Sequence, residues 1–250
     1  MKRIIAAAVS VLLACSFAPG LAEDALNAEK KPATTITEGL NAAVYQQLDF
    51  SDEQETEFAR RGLIAVPESL IIKAENGMTI WSQDAYDFVR EADDVPSSAN
   101  PSLWRNTQHN ALYGLFKVTD DIYQVRGYDI SNITFVRSQH GWIIMDCASS
   151  RTAAEALKLF REHMGEARIV AIVISHAHVD HYGGIEGLIS AGDAADPSLP
   201  LAEQIASGKT AIIIPQGFVD SVMRENVFAG TAMKRRATYQ YGSFLPYGAQ

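Results

Sequence analysis

One short segment constrains the fold of this chain more than any other, because it joins an apolar run to a dense cluster of polar side chains. Residues 169–174 (Ile-Val-Ala-Ile-Val-Ile) have the length and composition of a buried β-strand. Directly after this run, and before the pair Gly183-Gly184, come His176, His178, Asp180 and His181. Functional sites of α/β proteins lie where such strands end. The segment therefore predicts an α/β fold with a site at this strand end.

The residue types and their spacing indicate a metal site. Imidazole and carboxylate groups suit zinc or a similar divalent ion. In an extended segment, residues two apart point to the same side, so His176 and His178 can hold one ion. Asp180 and His181 follow a turn and can face a second ion. A polar surface loop explains one histidine but not four ligand-type residues in this order, and we predict all four as metal ligands.

The surrounding pattern predicts a layered domain that begins near residue 111. Short β-type runs separated by turn residues occur at 115–118, 122–125, 133–136 and 142–145. Residues 152–164 have an amphipathic helical pattern, and a helix is expected at 183–189 before a strand at 210–214. Strands followed by a β-α-β unit with ligands at a strand end predict stacked α and β layers.

The amino-terminal segment predicts export. Two basic residues precede an apolar stretch at 4–13, and small residues at 20–22 offer a cleavage site. The stretch is shorter than the roughly 20 residues that span a bilayer. We therefore predict a signal peptide at 1–22 and a periplasmic or secreted mature chain without a stable membrane anchor. Lipoprotein processing at Cys15 is the alternative.

Two further segments precede the core domain. Residues 23–43 are polar without a clear period and are predicted as a flexible leader. Residues 44–110 are predicted as an N-terminal extension of the domain. Within this extension, helices are expected at 52–61 and 84–92, followed by a break at 96–101, where two prolines interrupt the helical pattern.

Charge content excludes one class of function, and cysteine content gives one structural prediction. The formal net charge is −9 and the pI is about 5.1, and no basic face of the kind that binds nucleic acid is present in the sequence. Once the signal peptide is removed, Cys147 is the single remaining cysteine. It follows an apolar run, and we predict it as a buried small side chain and not as a metal ligand.

Residues 176–181 form the H-x-H-x-D-H pattern of the metallo-β-lactamase superfamily, and other stretches resemble its alkylsulfatase branch, the zinc enzymes that hydrolyse alkyl sulfates. Four of these stretches are Asn-Pro-Ser-Leu-Trp-Arg at 100–105, Ile-Tyr-Gln-Val-Arg-Gly-Tyr-Asp-Ile-Ser-Asn at 122–132, Glu-Asn-Val-Phe-Ala-Gly at 225–230 and Tyr-Gln-Tyr-Gly at 239–242. The resemblance runs from about residue 47 to the last residue.

The resemblance implies a metallo-β-lactamase αββα sandwich, incomplete at the C-terminus, with a partial catalytic domain at 111–250. It implies a sulfuric ester hydrolase that converts a small alkyl sulfate into an alcohol and sulfate with two zinc ions. The first ion is expected on His176 and His178, and the second on Asp180 and His181. Asp180 is also predicted to be catalytic, because it can orient the attacking hydroxide.

Three further residues are candidates for binding the sulfate group, because arginine makes bidentate contacts with tetrahedral oxyanions. These substrate-binding candidates are Arg235, Arg236 and Tyr241. The alternative, that these side chains pack and pair internally, stays open. By resemblance, Asp146 corresponds to a carboxylate that supports the ligand loop.

Members of the alkylsulfatase branch are longer than this chain and contain further metal ligands and a dimerisation region. No histidine follows His181 here, and Glu186, Glu203 and Glu225 lie in contexts unlike those of the family's ligand glutamates. We therefore expect an N-terminal portion of such an enzyme, with a homodimer only in a full-length form. Two alternatives remain: another hydrolase of the superfamily, such as a lactamase or lactonase, and an inactive truncated remnant.

Overall fold

The computed structural model describes residues 32–166 and 168–240 and contains one large β-sheet and one hairpin. The strands are β1 Leu63–Ala65, β2 Ile71–Lys73, β3 Thr79–Ser82, β4 Gly114–Lys117, β5 Ile122–Arg126, β6 Ile133–Ser138, β7 Gly141–Met145, β8 Ile169–Val173 and β9 Ala211–Ile213. Seven of them form the sheet, in the order β1-β4-β5-β6-β7-β8-β9, while β2 and β3 pair separately. The pairs from β1 to β7 are antiparallel, and β8 lies parallel to both β7 and β9.

The helices lie before, between and after these strands. They are α1 Thr35–Val44, α2 Gln54–Arg60, α3 Asp87–Arg90, α4 Pro101–Asn110, α5 Ser150–Met164, α6 Val179–Tyr182, α7 Ile185–Leu188, α8 Leu201–Ala206, α9 Phe218–Val222 and α10 Gly230–Gln240. Short 3₁₀ turns occupy Asp84–Tyr86 and Ala191–Asp193, and a π-helical segment occupies Met223–Phe228.

One face of the sheet is buried under α5. Alternate residues of β5, β6 and β7 point to this face, as the period of two in a strand requires. The buried side chains are Tyr123, Val125, Ile133, Phe135, Trp142 and Ile144. Phe160 of α5 stacks on Phe135 with ring centroids 3.8 Å apart and meets Trp142 edge-on at 4.9 Å. This aromatic cluster holds the helix on the sheet and fixes the layer that the ligand loop follows.

The opposite face of the sheet is half-exposed in the described residues and carries polar side chains. Gln124 donates a hydrogen bond to Thr134 across the strand pair (3.0 Å) and accepts one from Arg126 (2.7 Å). One helical layer therefore packs on one sheet. The described residues form one α layer and one β layer, and an αββα sandwich contains two of each. The predicted α/β fold class is confirmed.

Three predictions about the N-terminal extension and the leader need correction. Residues 35–44 form α1 behind the N-cap Thr34, so the prediction of a flexible leader is wrong for its last part. Pro101 does not extend a break: it opens α4 at the first helical turn, where proline costs no hydrogen bond, and Asn100 caps the helix. The helix expected at 84–92 is a 3₁₀ turn followed by the single turn of α3.

The extension also contributes to the main sheet. β1 pairs with β4 as its edge strand, with Leu63 opposite Phe116. The hairpin of β2 and β3 supplies Leu70 and Ile72 to the same core cluster as the residues of α5. The helix predicted at 183–189 is the shorter α7, and the one-turn helix α6 precedes it and carries two of the predicted ligands, Asp180 and His181.

Ala33–Gly230 form one compact unit, and the described residues 32 and 231–240 belong to a second unit. The predicted signal peptide at 1–22 lies outside the described residues, as does the leader up to residue 31. Within residues 32–166 and 168–240, no helix has both the length and the hydropathy needed to cross a bilayer.

Candidate metal centre

The predicted ligand loop starts where three parallel strands end at one edge of the sheet. Asp146, the first residue after β7, donates its N–H to the carbonyl of Val173 at the end of β8 (2.9 Å). Ile174 donates in the same way to Ile213 at the end of β9 (2.9 Å). The carboxyl ends of β7, β8 and β9 are therefore aligned, and the side chains that follow them lie close together.

Asp146 is the carboxylate that organises this edge. It accepts hydrogen bonds from the N–H of Ser175, from the Ser175 hydroxyl and from Nδ1 of His181, each 2.8 Å long. Burial raises the pKa of Asp146, but these three donors outweigh it and hold the pKa below the usual 3.8. The residue has φ +56°, a left-handed conformation that non-glycine residues rarely adopt and that aspartate tolerates better than most.

The network around Asp146 sets the proton positions of two histidines. Because the Ser175 hydroxyl donates to Asp146, its oxygen is free to accept from Nδ1 of His176, 2.8 Å away. His181 donates its own Nδ1–H directly to Asp146. In the neutral form of a ring that donates through Nδ1, Nε2 is the unprotonated nitrogen, which can bind a metal ion.

The two rings lie among the other predicted ligands. Nε2 of His181 is 3.2 Å from a carboxylate oxygen of Asp180. The ring of His176 has its centroid 4.1 Å from that of His181 and 4.5 Å from that of His178. The structure thus brings all four predicted ligands together on one edge of the sheet.

His178 has a partner that the sequence analysis did not assign to the site. Its Nε2 lies 3.1 Å from a carboxylate oxygen of Glu225, which belongs to the π-helical segment Met223–Phe228. The two residues are 47 positions apart in the sequence. Glu225, which the resemblance does not assign as a ligand, therefore lies beside a predicted ligand.

The donor set fits a divalent metal ion in kind. Three imidazoles and a carboxylate are the ligands that zinc takes in proteins, and a carboxylate behind a ligand histidine is the usual support of such a site. Among the residues that the structure describes, no three His, Cys, Asp or Glu side chains are arranged to hold one ion as they stand. The donors instead come as pairs, Asp180 with His181 and His178 with Glu225.

Close backbone packing fixes the position of the predicted ligand loop. Cys147 is fully buried, and its N–H donates to the carbonyl of His181 (2.9 Å). Burial raises the pKa of the Cys147 thiol to about 12, so the thiol stays protonated, as expected of a packing residue. A Cβ on Gly184 would lie 1.7 Å from the Cys147 carbonyl oxygen. Glycine is therefore required where the chain leaves the ligand loop.

The loop between β5 and β6 supports the same site. Ser131 donates its hydroxyl to the carbonyl of Asp180. The Asp129 carboxylate accepts from the N–H of Ser149 at the start of α5 (3.1 Å) and from the hydroxyls of Ser149 and Thr152. The family-like stretch at 122–132 therefore positions both the ligand loop and the first turn of α5.

The predicted sulfate-binding residues lie in the last part of the chain. Arg235 and Arg236 are on α10, and both are exposed. Tyr241 lies outside the described residues. Their role in substrate binding stays a prediction.

Two residues of the site escaped the sequence analysis. Ser175 directly precedes the motif, and its position between a strand end and four ligand-type residues is a signal that could have found it. Glu225 carries no such signal, because no periodicity or spacing connects it to the loop that it reaches.

Comparison with known proteins gives matches to the superfamily and the branch that the sequence motifs resemble. The model of the metallo-β-lactamase superfamily matches residues 126–216. The linear primary-alkylsulfatase of Pseudomonas sp. is 43% identical over 221 residues, which are 88% of this chain and 31% of that protein. The (R)-specific secondary-alkylsulfatase of Pseudomonas sp. is 42% identical over 255 residues, covering 100% of this chain and 36% of that protein. The alkyl/aryl-sulfatase BDS1 of Saccharomyces cerevisiae is 39% identical over 206 residues, which are 82% of this chain and 30% of that protein.

A solved structure agrees with these relatives. The stereoselective inverting sec-alkylsulfatase Pisa1 from Pseudomonas sp. superposes with a TM-score of 0.75 at 41% identity, covering 87% of this chain and 32% of that one. This chain thus spans about a third of the length of the relatives it matches.

Proposed function

This chain carries a metallo-β-lactamase domain of the alkylsulfatase type, and from that relationship we propose that it is the metal-binding part of an enzyme that hydrolyses alkyl sulfate esters. In the proposed reaction, water attacks the sulfate ester, and either its S–O or its C–O bond breaks. The products are an alcohol and sulfate. The observation that supports this most directly is the network of Asp146, Ser175 and His181 at the carboxyl ends of the parallel strands.

The proposed metal ions are two zinc ions, one on His176 and His178 and one on Asp180 and His181. When bound, they supply Lewis acidity and make hydroxide available near neutral pH. The chain itself does the positioning: Asp146 keeps the proton of His181 on Nδ1, and Ser175 does the same for His176. Asp180 is proposed to orient the attacking water.

We assign the sulfate group to the cationic residues of α10. A guanidinium offers two parallel donors to a tetrahedral oxyanion, and Arg235 and Arg236 are exposed on this helix. Tyr241 is proposed as the third contact. We propose that apolar side chains of the complete enzyme bind the alkyl chain of the substrate.

The remaining proposals concern the whole protein. The export signal proposed at 1–22 places it in the periplasm or outside the cell. A homodimer is proposed for a full-length form only. No nucleic-acid partner is proposed, because the net charge of −9 is unsuited to a phosphate backbone.

Release of inorganic sulfate from dodecyl sulfate tests the proposal. The assay uses this 250-residue chain loaded with zinc, and the product of the same gene read from its first codon to its stop codon. We expect sulfate release by the gene product and its loss in His176→Ala, while His140→Ala, in the turn between β6 and β7, retains it. Hydrolysis of β-lactams or lactones without sulfate release would favour the alternative hydrolase. Less than one retained zinc per chain and no hydrolysis by either sample would favour the inactive remnant.

A further inference from the structure

A cavity of about 660 Å³ lies between the N-terminal extension and the half-exposed face of the sheet. Trp81, Gln83 and Asn110 belong to its wall on the side of the extension, and Gln124 and Arg126 of β5 belong to its wall on the sheet. This volume is within the range of about 300–1,000 Å³ that is usual for sites that bind small molecules. The proposed metal centre uses none of these five side chains, so the cavity needs an explanation of its own.

The guanidinium of Arg126 is the positive group of this cavity, and two contacts hold it in place. Its Nε donates to the amide oxygen of Gln124 (2.7 Å), and Gln124 in turn donates to the hydroxyl of Thr134 (3.0 Å). The guanidinium carbon lies 4.3 Å from the centre of the Phe116 ring, a distance at which a cation interacts with an aromatic face. Within residues 32–166 and 168–240, the terminal N–H groups of Arg126 have no hydrogen-bond acceptor.

No carboxylate in the described part of the chain pairs with this cation. Asp129 also lines the cavity, but its carboxylate accepts from Ser149 and Thr152 instead. Burial lowers the pKa of the Arg126 guanidinium, and no acidic neighbour opposes this effect. A partly buried charge without a counterion is costly, and such groups are usually paired. The cavity therefore favours a ligand that carries a negative charge.

The wall on the side of the extension adds a buried acceptor next to Arg126. Gln83 is only 4% exposed, and its Nε2 donates to the carbonyl of Gly127 (2.7 Å). Because a carbonyl only accepts, the amide must present its nitrogen to Gly127, and Oε1 has no donor among the described residues. Buried polar groups nearly always have a partner, so this oxygen favours a ligand with an O–H or N–H donor.

We propose that this cavity binds a small organic anion whose carboxylate, sulfate or sulfonate group pairs with Arg126 and whose hydroxyl or amide donor reaches Gln83. A guanidinium offers two parallel donors to such an oxyanion. Trp81, whose Nε1 donates to the Gly127 carbonyl (2.7 Å), gives the carbon chain of the ligand an apolar surface. This inference is independent of the proposed hydrolysis, because it uses no predicted metal ligand.

Nuclear magnetic resonance with ¹⁵N-labelled arginine side chains tests the assignment. The samples are this 250-residue chain and the product of the same gene read to its stop codon, both loaded with zinc. The probes are inorganic sulfate, propanesulfonate and hydroxypropanesulfonate at constant ionic strength, since a sulfonate has no ester bond to hydrolyse. We expect a saturable shift of the Arg126 Nε resonance in both samples, with the tightest binding for hydroxypropanesulfonate and the weakest for inorganic sulfate.

Three results of these titrations would overturn the proposal. The first is saturable binding at Arg235 or Arg236 without a shift at Arg126. The second is equal affinity for inorganic sulfate and the two sulfonates, because the cavity would then not recognise an organic anion. The third is binding by the 250-residue chain alone, because later residues of the gene product would then fill the cavity.

Calorimetry of variants gives a second readout. Arg126→Gln removes the charge, and we expect the affinity for hydroxypropanesulfonate to fall about tenfold or more, as is usual when a hydrogen bond to a charged group is lost. Arg126→Lys keeps the charge without the planar fork and should have an intermediate affinity. The matched control is Arg151→Gln, which loses only an ion pair with exposed Glu75 (3.0 Å) and should bind like the wild type.

Thermal melting shows which variants are folded. If Arg126→Gln does not fold, the comparison of Arg126→Lys with the wild type and the Arg126 resonance of the wild type decide the question. An affinity that is the same in the wild type and in every folded Arg126 variant would refute the proposed site, whatever the outcome of the sulfate-release assay.

Discussion

At the scale of single residues, the metal centre depends as much on the residues that hydrogen-bond to the histidines as on the histidines themselves. A free imidazole offers either nitrogen to a metal ion, whereas Asp146 and Ser175 lie within hydrogen-bond distance of Nδ1 of His181 and of His176. Asp146 follows β7, and Ser175 follows β8 by one residue. Since strand ends are rigid, the ligand nitrogens keep their directions before any metal arrives.

Gly184 provides a test of how tightly this loop is packed. In Gly184→Ala the new Cβ would lie 1.7 Å from the Cys147 carbonyl oxygen and 2.7 Å from the Cβ of Ala153. Both neighbours belong to fixed backbone or to α5, so we expect a loss of at least about 1–3 kcal/mol in unfolding free energy, the usual cost of overpacking. Urea denaturation measures it.

The control for this substitution is Gly39→Ala. No atom lies within 4 Å of the Cβ built there, and the residue is inside α1. Alanine is a better helix former than glycine, so stability should rise by up to about 1 kcal/mol. If Gly184→Ala is as stable as the wild type, the ligand loop can move away from Cys147 and is not tightly packed.

At the scale of elements, the strands and α5 were predictable because a buried face leaves a period in the sequence. Tyr123 and Val125 alternate with half-exposed residues in β5, and the apolar face of α5 is repeated every three or four positions. By contrast, α1 contains no buried residue, and its apolar side chains Ile36 and Leu40, four positions apart, are both exposed. Helix α4 carries a misleading signal, because a proline predicts a break in a helical pattern, whereas Pro101 is the first helical residue.

The contrast between local sequence pattern and tertiary packing also explains which residues of the site could be predicted. The ligands and Asp146 directly follow strands, and their placement comes from local sequence alone. Glu225 reaches His178 only because the chain returns after β9 and α9. A contact between residues 47 positions apart depends on tertiary packing, which no local pattern encodes.

The β2–β3 hairpin gives a pH-dependent prediction at the level of one element. Asp84, just after β3, accepts from the Ser69 hydroxyl (2.6 Å) and from the N–H of buried Leu70 (2.9 Å). The Ser69 hydrogen bond, followed by that of the Leu70 N–H, lowers the pKa of Asp84 below 3.8. A carboxyl with a lowered folded-state pKa stabilises the fold above its unfolded-state pKa and loses this contribution as the pH falls through the folded value.

We therefore expect Asp84→Asn to be less stable than the wild type at pH 6, with a difference that shrinks as the pH falls below 3.8. Guanidinium unfolding at several pH values between 2.5 and 7 measures this difference, with Asp220→Asn on α9 as the control. A difference that stays constant down to pH 2.5 would show that the charge of Asp84 is not what holds the hairpin.

At the scale of the whole molecule, one helical layer covers one face of a seven-stranded sheet, and the ligand edge is built by three of those strands. The described residues bring donors of the right kind to that edge, in pairs. Metal binding should therefore be coupled to the stability of the whole unit, because the donors come together only when β7, β8 and the π-helical segment are folded.

Zinc should consequently raise the thermal stability of the chain. A ligand that binds only the folded state at 100 times its Kd adds about 2.7 kcal/mol. His176→Ala removes one imidazole that is exposed and outside the core, so the metal-free fold should keep its stability while most of the zinc-dependent increase disappears. His140→Ala, in the exposed turn between β6 and β7, should retain the full increase. Calorimetry with stepwise additions of zinc measures these increases, and an equal increase in both variants would mean that the stabilising ion binds elsewhere, since only one of the two lost a predicted ligand.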